Sequence, residues 1–153
     1  PQTAGLQVAL RAYGLYTGKI DAIAGPETAT ATRIFQRRHG LFPDGLAGRR
    51  TRAAMGVLGR PLFGRRQMKR GDFGWDVSVL QYLLRLPAVD GFYGPETAAA
   101  VARWQRKLGL AADGVTGPRS IAVLARRRAV PGPFGTGRSC GNYSPIGNGR
   151  RVR

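Results

Sequence analysis

Leu6, Ala9, Leu10 and Tyr13 stand at i, i+3, i+4 and i+7, so they line one face of a predicted helix. Val77, Leu80 and Leu84 repeat that face further along the chain. A second stripe runs through Ala100, Val101, Trp104 and Leu108, with Ala31, Thr32, Phe35 and His39 as its earlier counterpart. Shorter third helices are predicted near 51–58 and 118–126. No stretch alternates apolar and polar residues long enough to argue a strand. The pattern predicts an all-α chain.

The stripes recur because the sequence does. Residues 21–28, Asp-Ala-Ile-Ala-Gly-Pro-Glu-Thr, return at 90–97 as Asp-Gly-Phe-Tyr-Gly-Pro-Glu-Thr, an offset of 69. Phe35-Gln36-Arg37 matches Trp104-Gln105-Arg106 at the same offset, and Asp44-Gly45 through Gly48 matches Asp113-Gly114 through Gly117. Leu6-Gln7 through Leu10 matches Leu80-Gln81 through Leu84 at an offset of 74 instead. The second copy has therefore lost five residues, the counterpart of the 14–18 region. We read two tandem three-helix bundles, 1–59 and 68–127, joined by a linker at 60–67. Bundles of this size are small but within the range that folds alone.

Inside each copy a shorter pattern, Asp-[Gly/Ala]-x-x-Gly-x-x-[Thr/Ser], starts at Asp21, Asp44, Asp90 and Asp113. The Asp and the residue after it predict a tight turn, with the Asp carboxylate accepting nearby backbone N–H groups as a turn and cap residue. Gly25, Gly48, Gly94 and Gly117 then break the chain ahead of a helix. Pro26, Pro95 and Pro118 suit the first helical position, where a missing N–H costs nothing. Glu27 and Glu96 follow in the first turn, where the helix dipole favours negative charge; that structural reading outweighs a catalytic one.

Composition narrows the chemistry. Apolar residues make up 42% of 153, enough for a packed core, and no apolar run approaches a membrane span. The chain opens on Pro1 with no initiator Met and no hydrophobic leader, which reads as a fragment or processed product. One His and one Cys, His39 and Cys140, cannot supply a Cys/His metal cluster or an internal disulfide. Neither a nucleophile–base pair nor a metal constellation stands out, so no catalytic residue, metal or cofactor is assigned. Beyond Arg128 the chain turns Gly-, Pro-, Ser- and Arg-rich with no acidic residue, so 128–153 reads as a disordered basic tail. The net charge is +17, from 25 basic and 8 acidic residues, of which only Lys19, Lys69 and Lys107 are lysine. Such a surface attracts polyanions, whether nucleic acid, anionic wall polymers or lipid headgroups.

Leu-Gln-x-x-Leu, Asp-Gly-x-x-Gly-Pro-x-Thr, Phe-Gln-x-x-x-Gly-Leu and a second Asp-Gly turn, in that order and twice over, resemble the peptidoglycan-binding domain 1 family. Residues 69–77, Lys-Arg-Gly-Asp-Phe-Gly-Trp-Asp-Val, resemble its usual opening, and the likeness covers nearly all of 3–127. It implies a three-helix fold that binds bacterial peptidoglycan as an accessory module beside a hydrolase. The tandem pair before a basic linker is similar to actinobacterial cell-wall hydrolases whose catalytic part lies downstream. An extracellular or wall-associated monomer follows, with peptidoglycan as partner, anionic wall polymers secondary and nucleic acid bound only non-specifically. Ala22 stands where the family prefers Gly, and Arg49 where it prefers Pro.

Candidate ligand contacts follow from chemistry. Tyr16 and Tyr93 lie in loop regions, where an exposed ring would stack on a sugar and a buried one would pack on the bundle. Gln36 and Gln105 follow core aromatics, placed either to brace the helix or to hydrogen-bond a ligand amide. Arg33, Arg37, Arg103 and Arg106 on the second helices suit stem-peptide carboxylates, or form a solvated face. The alternative to wall binding is a basic nucleic-acid-binding helical protein, since small charged bundles include helix-turn-helix readers. Against it, the arginines are spread over every element and the tail.

Overall fold

The computed structural model describes residues 1–127; the basic tail expected at 128–153 lies outside the described residues. Six α-helices follow in order: α1 (Gln2–Ala12), α2 (Pro26–Arg38), α3 (Arg49–Ala54), α4 (Trp75–Leu83), α5 (Pro95–Lys107) and α6 (Pro118–Arg127). Among the described residues there is no strand, only two isolated antiparallel bridges, Met68 with Thr116 and Phe73 with Phe92. The expected all-α architecture is what forms.

Helix starts obey the local chemistry. Gly25 and Gly94 sit at the N-caps in extended conformation, with Pro26 and Pro95 first inside the helix and Glu27 and Glu96 in the first turn. The Asp residues do not cap these helices, because no side-chain cap bond forms at either N-terminus. The third helix of the first copy is shorter than expected. It stops at Ala54, Gly56 turns left-handed at φ 61°, and a 3-10 turn (Gly56–Gly59) completes the segment. His39, expected on the buried stripe, falls just past α2 and is exposed, stacked on Phe35 at 4.0 Å.

Two clusters form the core. The first gathers Leu6, Leu10, Tyr16, Phe35 and Met55; the second gathers Met68, Val77, Leu80, Tyr93, Val101, Trp104 and Leu124. Helix α4 serves both. Val77 and Leu80 face its own bundle, while Trp75 and Val79 enter the first cluster across α1. The two bundles therefore share a buried seam. Trp75 Nε1 donates to Gln2 Oε1 at 2.7 Å, the Tyr82 hydroxyl donates to the Asp21 carbonyl at 2.8 Å, and Gly5 lets the indole lie against α1. The 60–67 connection is packed too. Phe63 touches both clusters, and Arg66 pairs with the buried Asp76 at 2.7 Å.

Candidate functional site

Each helix-to-helix junction inside a bundle is closed by one buried glutamine. At α1–α2, Gln7 Nε2 donates to Asp21 Oδ1 at 2.8 Å, the Ile23 carbonyl at 3.1 Å and Thr28 Oγ1 at 3.3 Å, while its Oε1 accepts from Ala22 N–H at 3.0 Å. At α2–α3, Gln36 makes the same set to Asp44 (2.7 Å), Leu46 (3.0 Å), Thr51 (3.1 Å) and Gly45 N–H (2.9 Å). Gln81 repeats it at α4–α5 with Asp90, Phe92, Thr97 and Gly91. Gln105 repeats it at α5–α6 with Asp113, Val115, Ser120 and Gly114. In every case the Asp Oδ1 also accepts the N–H two residues on, an Asx turn.

These clasps explain the fourfold Asp-[Gly/Ala] pattern. The Gln amide sits on one helix, the Asp turn follows it, and the Thr or Ser hydroxyl occupies the third position of the next helix. One side chain thus fixes both the turn and the angle between two helices. The residue after each Asp takes a left-handed conformation: Ala22 at φ 60°, Gly45 at 78°, Gly91 at 79° and Gly114 at 67°. The turns also hold the Asp21, Asp44 and Asp113 carboxyls below their ordinary value. For Asp21 the Gln7 amide is the first cause; for Asp44 and Asp113 it is the Leu46 and Val115 backbone N–H.

The clasps place several candidate contacts away from any ligand. Gln36 and Gln105 are buried with both ends of their amides spent within the fold. Tyr16 is buried, its hydroxyl donating to the Lys19 carbonyl at 2.7 Å and accepting from Gln7. Tyr93 is wholly buried, its hydroxyl donating to the Gly114 carbonyl at 2.7 Å. Neither ring presents a face for stacking: of the two alternatives, packing on the bundle is what forms, and the ligand-contact reading of Tyr16 and Tyr93 is set aside. Sequence periodicity does not report that these loops fold back onto the bundle.

The arginines separate by position. Arg33 leans over the Asp44–Gly45 turn, and its charge helps hold Asp44 ionised. Arg37 and Arg106 are exposed in the last turns of α2 and α5, where they complement the helix dipole. Arg103 is exposed beside an open groove of ≈ 570 Å³ between the α4–α5 loop and the face of α5. Phe92, missed by the sequence reading, stands at its wall; it is 46% exposed and tilted against Phe73 at 6.4 Å. The signal for it was present as the apolar residue two places after each turn Asp, at Ile23, Leu46, Phe92 and Val115. A smaller recess of ≈ 430 Å³ lies at the α5–α6 junction beside Gln105 and Arg119. Among the described residues no group of three or more His, Cys, Asp or Glu could hold a metal, and no helix is long and apolar enough to cross a membrane.

Both copies of this clasped unit match a known family, described as "Putative peptidoglycan binding domain", over residues 1–55 and 76–124. The chain belongs to that family. Among curated relatives, it is 36% identical over 102 residues to the N-acetylmuramoyl-L-alanine amidase CwlM of Mycobacterium tuberculosis, covering 61% of this chain and 25% of that protein. A probable N-acetylmuramoyl-L-alanine amidase of Bacillus licheniformis is 30% identical over 143 residues, covering 78% of this chain and 40% of that protein. The zinc D-Ala-D-Ala carboxypeptidase of Streptomyces albus G is 61% identical over 34 residues, covering 22% of this chain and 13% of that protein. The chain thus spans well under half the length of these relatives. No solved structure matches it at a significant level.

Proposed function

We propose that this chain binds bacterial cell-wall peptidoglycan without acting on it chemically, and that it holds a cell-wall hydrolase against its insoluble substrate. The observation that carries this reading is the family match to both copies, in relatives named as wall amidases. Each copy keeps the complete Gln–Asp–Thr/Ser clasp, so both bundles are built to the same rigid plan. Binding takes place outside the cell or within its wall. Anionic wall polymers add a salt-sensitive attraction through the +17 charge, and the protein works as a monomer. Linked units raise the local concentration of whatever is attached to them.

The test is a fusion of this chain to a peptidoglycan amidase. The fused enzyme should digest intact sacculi about tenfold faster or more than the unfused enzyme, with equal rates on small soluble fragments. Equal rates on both substrates would refute the targeting role.

A further inference from the structure

The sequence comparison leaves open whether such a chain grips the glycan or the peptide of the wall, and the two copies are not equivalent on this point. In the second copy, Glu96 and Arg103 stand seven residues apart on α5, two turns along one face and about 10 Å apart on the axis. Both line the ≈ 570 Å³ groove, and both are exposed. Among the described residues neither side chain makes a hydrogen bond or an ion pair. Opposite them, Leu86, Pro87 and Phe92 form an apolar wall. Phe92 is held in place because Asp90 Oδ1 accepts its N–H at 2.9 Å and Gln81 Nε2 donates to its carbonyl at 2.9 Å. Asp90 is committed to that turn, which leaves Glu96 as the groove's free anion.

We propose that this groove of the second bundle takes the peptide portion of the wall, with a peptide carboxylate on Arg103 and a peptide ammonium on Glu96. The proposal rests on the wall-binding reading above and specifies its ligand. The reason is chemical: N-acetylated amino sugars carry no free ammonium for Glu96, whereas a stem peptide with a diamino acid carries both a free ammonium and free carboxylates. Small apolar side chains such as alanine methyls suit the Phe92–Pro87 wall. The planar guanidinium of Arg103 matches a carboxylate in a bidentate fork.

The first bundle lacks the cationic half of this arrangement. Ile34 stands where the second bundle has Arg103. Its longer loop also crowds the matching glutamate, Glu27, which stays exposed. Arg11 draws the Gly18 carbonyl in at 2.6 Å, and a Cβ built on Gly18 would stand 2.8 Å from Glu27 Oε2. Loss of five residues in the second copy removes that neighbour from Glu96.

The experiment titrates the full chain with the Nα-acetylated pentapeptide L-Ala-γ-D-Glu-L-Lys-D-Ala-D-Ala by calorimetry. Two further forms are used, one acetylated on the Lys amine and one with both carboxylates amidated. Arg103→Ala and Glu96→Gln should each weaken binding of the unmodified peptide about tenfold, the size of a charge-assisted hydrogen bond in a half-enclosed site. Lys acetylation should cost nothing further in Glu96→Gln, and Arg38→Ala should bind like the parent. Unchanged affinity in Arg103→Ala and Glu96→Gln would overturn the proposal. In parallel, the chain is sedimented with intact sacculi alone, with the pentapeptide added as competitor, and with soluble peptide-free glycan strands added as competitor. Release by the pentapeptide and not by the glycan strands supports the proposal. Release by the glycan strands alone overturns it while leaving wall binding intact, and no retention on intact sacculi overturns both.

Discussion

Ala22 sits at φ 60° in a turn where the other three copies use glycine, and that conformation is costly for a residue with a Cβ. Ala22→Gly should therefore raise stability by about 0.5–1 kcal/mol, the reverse of the usual effect of adding glycine; thermal melts would check it. The clasp glutamines are the opposite case. Gln36→Ala should cost about 3 kcal/mol, because it strands the Gly45 N–H, a buried hydroxyl and a turn carboxylate together. Tyr93→Phe should cost about 1 kcal/mol by leaving the Gly114 carbonyl unpaired, with wall binding unchanged because the ring is buried. The pH dependence has a definite sign. Asp21, Asp44 and Asp113 titrate lower folded than at the ordinary value of 3.8, so they contribute fully above that value and lose their contribution as pH falls below it. A melting temperature that is level near neutrality and drops below about pH 4 is expected.

At the scale of elements, the helices were legible because their stripes and their Gly-Pro-Glu starts are local signals. The four Asp turns, three Asp-Gly and one Asp-Ala, were legible for the same reason. Their glutamine partners were legible in part: bracing was one of the two readings open for Gln36 and Gln105, while Gln7 and Gln81 carried no assignment. The shared clasp was hidden because the Gln-to-Asp spacing varies from 14 at Gln7 to 8 at Gln36, 9 at Gln81 and 8 at Gln105. The burial of Tyr16 and Tyr93 was hidden because loops carry no period. The double face of α4 was hidden as well. Its stripe through Val77 and Leu80 predicted one bundle contact, while Trp75 and Val79 answer to α1, a partner that only the tertiary fold supplies. The candidate site was legible in part: Arg103 lay among the expected contacts, and Phe92 and Glu96 completed the groove only in three dimensions.

For the whole molecule, the shared seam makes two sequence repeats one packed body. A Cβ on Gly5 would stand 2.7 Å from the Trp75 indole, which its bond to Gln2 holds in place. Gly5→Ala should therefore destabilise the protein by about 1–2 kcal/mol, whereas the same change in an exposed helix stabilises it; chemical denaturation would show the sign. Charge is the competing account of any binding this molecule shows. Among the described residues both ion pairs use Arg66, so most of the arginines remain free to attract any polyanion. The central claim is that recognition of peptidoglycan survives when that attraction is screened. The direct measurement is sedimentation with purified sacculi, with and without teichoic acid, from low salt to about 0.5 M, where the Debye length is a few Å, with DNA as competitor. Retention on teichoic-free sacculi at the highest salt, undisturbed by DNA, is the predicted result. Binding that disappears with salt and transfers equally to DNA would contradict it.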